Sequence, residues 1–538
     1  MNETQTAYDA IPYRSNPFRQ THPERLAAVA KLFELDAPAV ERCRVLELGC
    51  SMAGNLIAMA QNLPGARFIG IDASSRQIAD GWKTIEALGL ANVQLKHLDI
   101  LDIGEDFGEF DYIISHGVFS WVPRRVQDRI LELCQRHLAP NGVAYISYNT
   151  LPGWHIRGIV RDMMLFRGMQ FGDLTARLAQ AKSLVEFIAQ SARGDDNPYK
   201  RMLQSELKHI GQADDYYLHH DHLEANNHPV YFHEFATRLS VNGLQYLGEA
   251  DFSMMVSTNF APEVAKTLQQ LGAHDIVQME QYMDFVRCRY FRQTLICRSG
   301  IRLNRTVVPN VAKSLLLASS ATPTAEPVLP STQTVTFETS SGSGINCKHP
   351  LTKLALLELC RQWPMPVAFA DLYRHCKTEA EKAGHQTKET SPEDFFAGEM
   401  LACMAAGVIE WRLTPVPFTT AVGKTPAASA LARLQARAGY DITNLRGETV
   451  KLDEIHRQIL KQLDGSLDMR ALADALLSSV KRGELVLHRD RDNKSPVTEE
   501  KEMRELLGPA LEKVLANLAK RALLLRHETS QRAPTRGR

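Results

Sequence analysis

Between residues 43 and 149 short apolar runs alternate with helical stretches. The runs at 44–48, 67–71, 93–98, 110–115 and 143–148 are rich in Val, Ile, Leu, Phe and Tyr, the pattern of strands. Residues 54–62 have one apolar helical side, and Ser74 can cap a following helix whose apolar positions include Ile78, Trp82 and Ile85. Pro140-Asn-Gly142 predicts a turn into the fifth strand. Strand and helix in alternation imply a parallel sheet with helices on both faces.

From residue 155 the period changes. Leu178, Ala181, Leu184, Val185 and Ile188 fall on one helical face, so 156–230 reads as a helical insertion. Residues 232–247 read as a helix turning at Asn242-Gly243 into a strand, and 288–297 as another strand. Residues 231–300 would thus complete a seven-stranded sheet begun in residues 1–155. Residues 318–345, rich in Ala, Ser, Thr, Pro and Gly, predict a linker that separates this unit from the C-terminal part of the chain. Two segments then repeat an order of three helices and a strand, and predict winged-helix-like modules at 346–414 and 440–527. Pro415, Pro417, Gly423 and Pro426 mark a second linker at 415–430, and 528–538 read as a disordered tail.

Composition narrows the class. At 538 residues the chain exceeds the roughly 250–300 residues one core sustains, so several domains are expected. Lys plus Arg and Asp plus Glu both total 62, which provides no global basic field for nucleic acid. No run approaches the ~20 apolar residues of a membrane span, and the acidic first residues differ from a secretory leader. Nine scattered cysteines without a CxxC pair fit a reduced, cytoplasmic chain with no structural zinc. His219, His220, His222, His228 and His233 match no zinc spacing, and no metal site is assigned. Arg287, Arg289, Arg292 and Arg298 interleave with aromatics; strand alternation with one solvated face accounts for them better than a nucleic-acid surface.

The chemistry concentrates at the first strand's end, in Glu47-Leu-Gly-Cys-Ser-Met-Ala-Gly-Asn55. A doubly wound sheet binds its ligand beyond the carboxyl ends of the strands, and Gly49 and Gly54 permit close backbone approach there. Asp72 follows Gly49 by 23 residues, near the roughly 20 at which a Rossmann-like unit places an acid for the ribose hydroxyls. Asp99 suits an adenine amino group, and Glu47 can orient the loop or meet an ammonium. The loop lacks the full G-x-G-x-x-G of a pyrophosphate binder, so S-adenosylmethionine is favoured over NAD. Cofactor contacts are therefore expected from Glu47, Gly49, Cys50, Gly54, Asn55, Asp72, Ala73, Asp99, Ile100, Ser115 and His116. The segments 115–121 and 148–154 should line the acceptor's mouth, with His116, Tyr148 and Asn149 as candidates for catalysis. Trp121 and Trp154 read as lid or core rather than a cation cage.

These residues resemble a bacterial family of class I methyltransferases with a methyltransferase regulatory domain, including rickettsial outer-membrane-protein lysine methyltransferases. The likeness begins at Tyr8-Asp-Ala-Ile-Pro-Tyr13 and is most specific in the run from Phe110 through His116 and Trp121 to Pro123. It continues at Pro152-Gly-Trp-His155 and Phe291-Arg-Gln-Thr-Leu295. It implies donor binding by Glu47, Gly49, Gly54, Asp72 and Asp99, an N-terminal segment with Tyr13 closing over the pocket, helices that support a homodimer, and lysine side chains of a protein as acceptor. A small-molecule N- or O-methyltransferase, and a winged-helix regulator that binds DNA or senses the donor, remain the alternatives.

Overall fold

The structure is a computed structural model that describes residues 15–194, 196–272, 275–329, 331–384, 390–486, 497 and 499–526. Tyr13 and the tail at 528–538 lie outside the described residues. Strands β1 (Arg44–Leu48), β2 (Arg67–Asp72), β3 (Val93–His97), β4 (Phe110–Ser115), β5 (Leu138–Asn149), β6 (Leu244–Glu249) and β7 (Phe291–Arg298) form one sheet in the order β3-β2-β1-β4-β5-β7-β6. The first five are parallel, and β7 runs antiparallel to both neighbours. The order reverses between β1 and β4, so the loops after these strands open onto a crevice where an α/β sheet binds its ligand. No turn interrupts β5: Pro140, Asn141 and Gly142 lie within it, beside a register shift against β4.

Buried side chains cover both sheet faces. Val45, Phe68, Tyr112 and Tyr145 pack into one apolar cluster, and Leu46, Ile71, Ile113, Ile146 and Tyr148 into another. Helix α1 (Pro23–Leu32) packs in the first cluster. Four helices, Gly153–Gly168, Leu174–Ser191, Pro198–Gln212 and Asp215–His222, follow β5 and share a separate core around Val160, Leu178, Val185 and Leu203. The chain then returns through a helix at Phe232–Val241 and the turn Asn242-Gly243 to β6.

The expected linker at 318–345 is instead structured. Strand β8 (Leu316–Ala318) pairs with Val367–Ala368 and Glu410–Arg412, and Thr322–Pro323, Val335–Glu338 and Gly344–Cys347 form an antiparallel sheet. Val335 and Phe337 point inward while Glu338 is exposed, and both join the cluster that contains Val45 and Phe68. The alternation spans four residues, too few to stand out from a Ser/Thr/Gly background. The middle module therefore draws strand β8 from the residues that run into the supposed linker, and shares a continuous core with the sheet domain. Trp411 makes this contact directly, its ring 6.0 Å from Phe252 and its Nε1 donating to the carbonyl of Ala28.

Residues 415–430 are likewise packed. Val416, Phe418 and Ala428 are buried, and Phe418 and Ala428 bridge to Leu525 and Leu524. A helix at Ala430–Ala438 precedes the hairpin Asp441–Thr443 and Thr449–Lys451, and then come helices Glu454–Gln462, Met469–Lys481 and Glu500–Lys520. The C-terminal module thus begins before residue 440. Proline and glycine mark bends here, not a free connection. Among the described residues no helix is long and apolar enough to cross a membrane.

Candidate active site

The loop after β1 is held from two sides. The N–H groups of Gly49 and Cys50 both donate to the Ile71 carbonyl at 2.9 Å. The Asp72 carboxylate accepts from Ser51 N at 2.8 Å and from Ser74 N at 2.9 Å. Gly49 has φ +73° and an added Cβ would lie 2.5 Å from Val118 Cγ2, so glycine is required there. Ser51 and Ala53 also adopt left-handed backbone, at φ 52° and 58°. Non-glycine residues hold such conformations when the surroundings over-determine them, as they do at ligand sites. The Cys50 thiol packs beside Gly70, so Cys50 offers the loop its backbone.

Asn55 connects this loop to the N-terminal segment. Its Nδ2 donates to Glu47 Oε1 at 2.8 Å and to Thr21 Oγ1 at 2.9 Å, and its Oδ1 accepts from Phe18 N at 2.9 Å. Gly54 N donates to Ser15 Oγ at 2.5 Å, and a Cβ at Gly54 would meet the Ser15 carbonyl. Residues 15–21 are thereby seated over the loop. Glu47 is buried, its Oε2 has no hydrogen-bond partner among the described residues, and burial pushes its carboxyl up to about 8. A buried acceptor without a donor is costly; an ammonium placed against Oε2 would satisfy it and restore the charge.

Further along the crevice, Ala73 O meets His97 Nε2 at 3.0 Å, and exposed Asp99 accepts from Leu101 N at 2.9 Å. Ile100 is buried in the cluster with Leu48 and Ile71. Ser115 is buried and its Oγ has no partner among the described residues. His116 Nδ1 lies 3.0 Å from Tyr145 Oη and 3.2 Å from Ser147 Oγ, and its ring centroid lies 3.8 Å from that of Phe18. Burial lowers His116 to about 4, so its ring is neutral at physiological pH, and burial raises the Tyr145 phenol. Ser147 Oγ also accepts from Gly117 N.

Tyr148 does not belong with this group. Its hydroxyl meets Thr294 Oγ1 at 3.1 Å, its ring lies 4.3 Å from Phe235, and it is 1% exposed on the opposite sheet face. Side chains alternate along a strand, so Tyr145 and Ser147 share the face that Tyr148 leaves. Counting by two along β5 would have found both. Asn149 N donates to Ser120 Oγ, and its side chain meets Asn227. At the mouth Trp121 and Trp154 form an edge-to-face pair with centroids 6.0 Å apart, and the Arg157 guanidinium covers Tyr290 at 4.1 Å.

The arginines around β7 do not form a solvated face. Arg292 is fully buried, with Nε 2.8 Å from Asp284, one Nη 2.7 Å from Glu249 and the other 2.9 Å from Glu280. Arg289 reaches Glu249 at 2.6 Å. Acids on β6, 43 residues before Arg292, and on the helix Ile276–Arg287 neutralise them, a pairing between elements that strand alternation alone could not reveal. No group of three or more His, Cys, Asp or Glu positioned to hold a metal occurs among the described residues.

Sheet order, an antiparallel seventh strand, and a crevice built from Glu47, Asp72 and the β4 loop define a class I, S-adenosylmethionine-dependent methyltransferase. Comparison with known proteins agrees. Residues 46–144 match a methyltransferase domain, 214–298 a predicted methyltransferase regulatory domain, and 424–523 the C-terminal winged helix domain of PKMT. The chain is 35% identical over 522 residues to protein RP789 of Rickettsia prowazekii, covering 95% of this chain and 93% of that one. A second protein of that organism, RP028, is 42% identical over 229 residues, which are 43% of this chain and 92% of that one. The structure of PKMT2 from Rickettsia typhi in complex with AdoHcy superposes with a TM-score of 0.84 at 30% identity, covering 96% of this chain and 100% of that one. The chain belongs to this family of methyltransferases with a regulatory domain and a PKMT-type winged helix.

Proposed function

We propose that the protein transfers the methyl group of S-adenosylmethionine to lysine side chains of a protein, an outer-membrane protein being one such acceptor. The observation that carries this reading is the extent of the likeness: PKMT2 is matched across the winged-helix region as well as the sheet domain. A small-molecule enzyme would need only the latter. The donor supplies an electrophilic methyl on a sulfonium. Glu47 receives the ammonium of its methionine part, the loop from Gly49 to Asn55 its backbone, and Asp72 its ribose hydroxyls, because a carboxylate accepts several hydrogen bonds at once. Asp99 takes the adenine amino group, with Ala73 and Ile100 beside it and Ser115 and His116 near the reacting end.

Methyl transfer depends on alignment and on exclusion of water more than on a strong base. A His116 that stays neutral down to about pH 4 is a weak proton acceptor. It positions the acceptor amine together with Tyr145 and Ser147, and the lysine proton leaves to water. Asn149 and the Trp121–Trp154 pair border the path to this point. The exposed Phe166, Met169 and Phe187 on the helical insertion support a homodimer through that block, since exposed apolar side chains on adjoining helices mark contact surfaces. Nine free cysteines fit the reducing cytoplasm. Incubation with methyl-labelled donor and cell extract, followed by protease, nuclease or small-molecule filtration, tests the reading. Label lost from the macromolecular fraction on protease treatment is expected; label in small molecules or nucleic acid overturns the protein acceptor.

A further inference from the structure

Behind the cofactor loop lies a partly open cavity of about 180 Å3, about an order of magnitude more than one water requires. Its walls are the segment Pro17–Arg25, one face of the helix Gly54–Asn62, and the C-terminal part of the chain through Trp411, Arg412 and Arg446. Asn55, Ala58, Met59 and Asn62 line it at helical spacing, so the helix that begins at the cofactor loop turns a polar-edged side toward it.

Four arginines and the carboxylates of Glu24, Glu41, Glu410 and Glu448 line or border this space, and one of the arginines is left without an ion pair. Arg19 pairs with Glu410 and, at 3.3 Å, with Glu448; Arg446 lies 3.0 Å from each of the same two acids; Arg412 lies 3.4 Å from Glu24. Arg25 pairs with no carboxylate and no hydrogen-bond acceptor among the described residues. Its Nη1 is buried and unpartnered, and its guanidinium rests on the Trp411 ring at 4.5 Å. Burial and then the neighbouring Arg19 lower its pKa, against the opposing pull of Glu410, Asp251 and Glu24. A buried N–H left without an acceptor is costly, and a guanidinium fork is matched to the two oxygens of a carboxylate or phosphate. His22 adds a neutral donor: its Nδ1 accepts from Glu24 N at 3.1 Å, which leaves the ring proton on Nε2, and burial holds its pKa down to about 3.

We propose that this cavity is a binding site for a small oxyanion, a phosphate or a short carboxylate, received by Arg25 with His22 and Asn62 at its sides. The bound anion completes the ion network that joins the N-terminal segment to the C-terminal modules. It borders the donor crevice through Phe18 and Asn55, and its occupancy fixes the segment whose Ser15 and Phe18 sit on the cofactor loop.

Titration of the full chain with inorganic phosphate and with succinate, at ionic strength held constant with sodium chloride, tests this by calorimetry and by melting temperature. Saturable binding of at least one anion, with a rise in melting temperature, is expected; phosphate alone or succinate alone assigns the source. Arg25→Met should weaken that binding at least tenfold while melting no lower than the wild type in chloride, because it removes an unpartnered charge. Should Arg25→Met not fold, Asn62→Leu narrows the cavity without touching an ion pair and should weaken binding in the same direction. Absence of saturable binding by both anions in the wild type overturns the proposal, as does undiminished binding in the variants.

Discussion

Glu47 offers the sharpest test of how the donor crevice is built. It is 4% exposed, bonded through one oxygen to Asn55 and unpartnered at the other. Burial first, then the nearby Asp72 charge, raises its carboxyl from 4.5 to about 8. The native protein therefore retains a proton that the unfolded chain releases as pH climbs through 4.5. Its stabilising contribution is fully present below pH 4.5 and is lost by about pH 8. At about 1.4 kcal/mol per pH unit, the whole window amounts to roughly 4–5 kcal/mol, and pH 6 to 8 to roughly 2–3 kcal/mol. Without donor, wild type should lose about that much stability relative to Glu47→Gln between pH 6 and pH 8, read from urea midpoints. Donor binding should run the other way. The ammonium selects the ionised carboxylate, so affinity should rise about tenfold per pH unit from pH 6 until the donor's own α-amino group, with a pKa of about 7.7–8.0, begins to deprotonate. Each binding event should release close to one proton, measurable by calorimetry in buffers of different ionisation enthalpy. Parallel stability profiles for the two proteins, or a donor affinity indifferent to pH, would refute the placement of the ammonium at Glu47.

Three further outcomes rest on the same geometry. Asp72→Ala removes the acceptor of Ser51 N and the proposed ribose contacts, and at about 1.5–3 kcal/mol for each hydrogen bond to a charged group donor affinity should fall at least a hundredfold by calorimetry; unchanged affinity would remove Asp72 from the cofactor site. Because His116 is neutral down to about pH 4, the kcat profile should show no inflection near 6.5, and His116→Ala should lower kcat about tenfold without moving the profile; an inflection near 6.5 that vanishes in the variant would make His116 the base. Arg292→Met leaves Glu249, Glu280 and Asp284 buried together, and loss of one partner from such a network costs about 3–5 kcal/mol; a shift below about 1 kcal/mol in urea unfolding would show that the network contributes little.

The first five strands were legible because their apolar runs alternate with helical stretches, and because Gly49, Asp72 and Asp99 fall at or just beyond their ends. The four-residue strand Val335–Glu338 was not, since one alternation among serines and threonines is indistinguishable from a linker. Tyr148 was singled out as the start of the segment 148–154, yet the two-residue period of β5 turns it toward Phe235 and gives the crevice Tyr145 and Ser147 instead. Ser15, Phe18 and Thr21 reach the loop through contacts 34 to 39 residues distant in sequence, and no local pattern marks them. Arg292 looked like one of several surface arginines because its partners Glu249, Glu280 and Asp284 lie on other elements.

The most direct test of lysine methylation is acid hydrolysis and amino-acid analysis of protein labelled by the purified chain from methyl-labelled S-adenosylmethionine. Label should co-elute with methylated lysine, and Asp72→Ala should abolish it at a donor concentration that saturates the wild type. Label recovered as methylarginine, as a volatile ester-derived product, or in no amino acid would contradict the assignment.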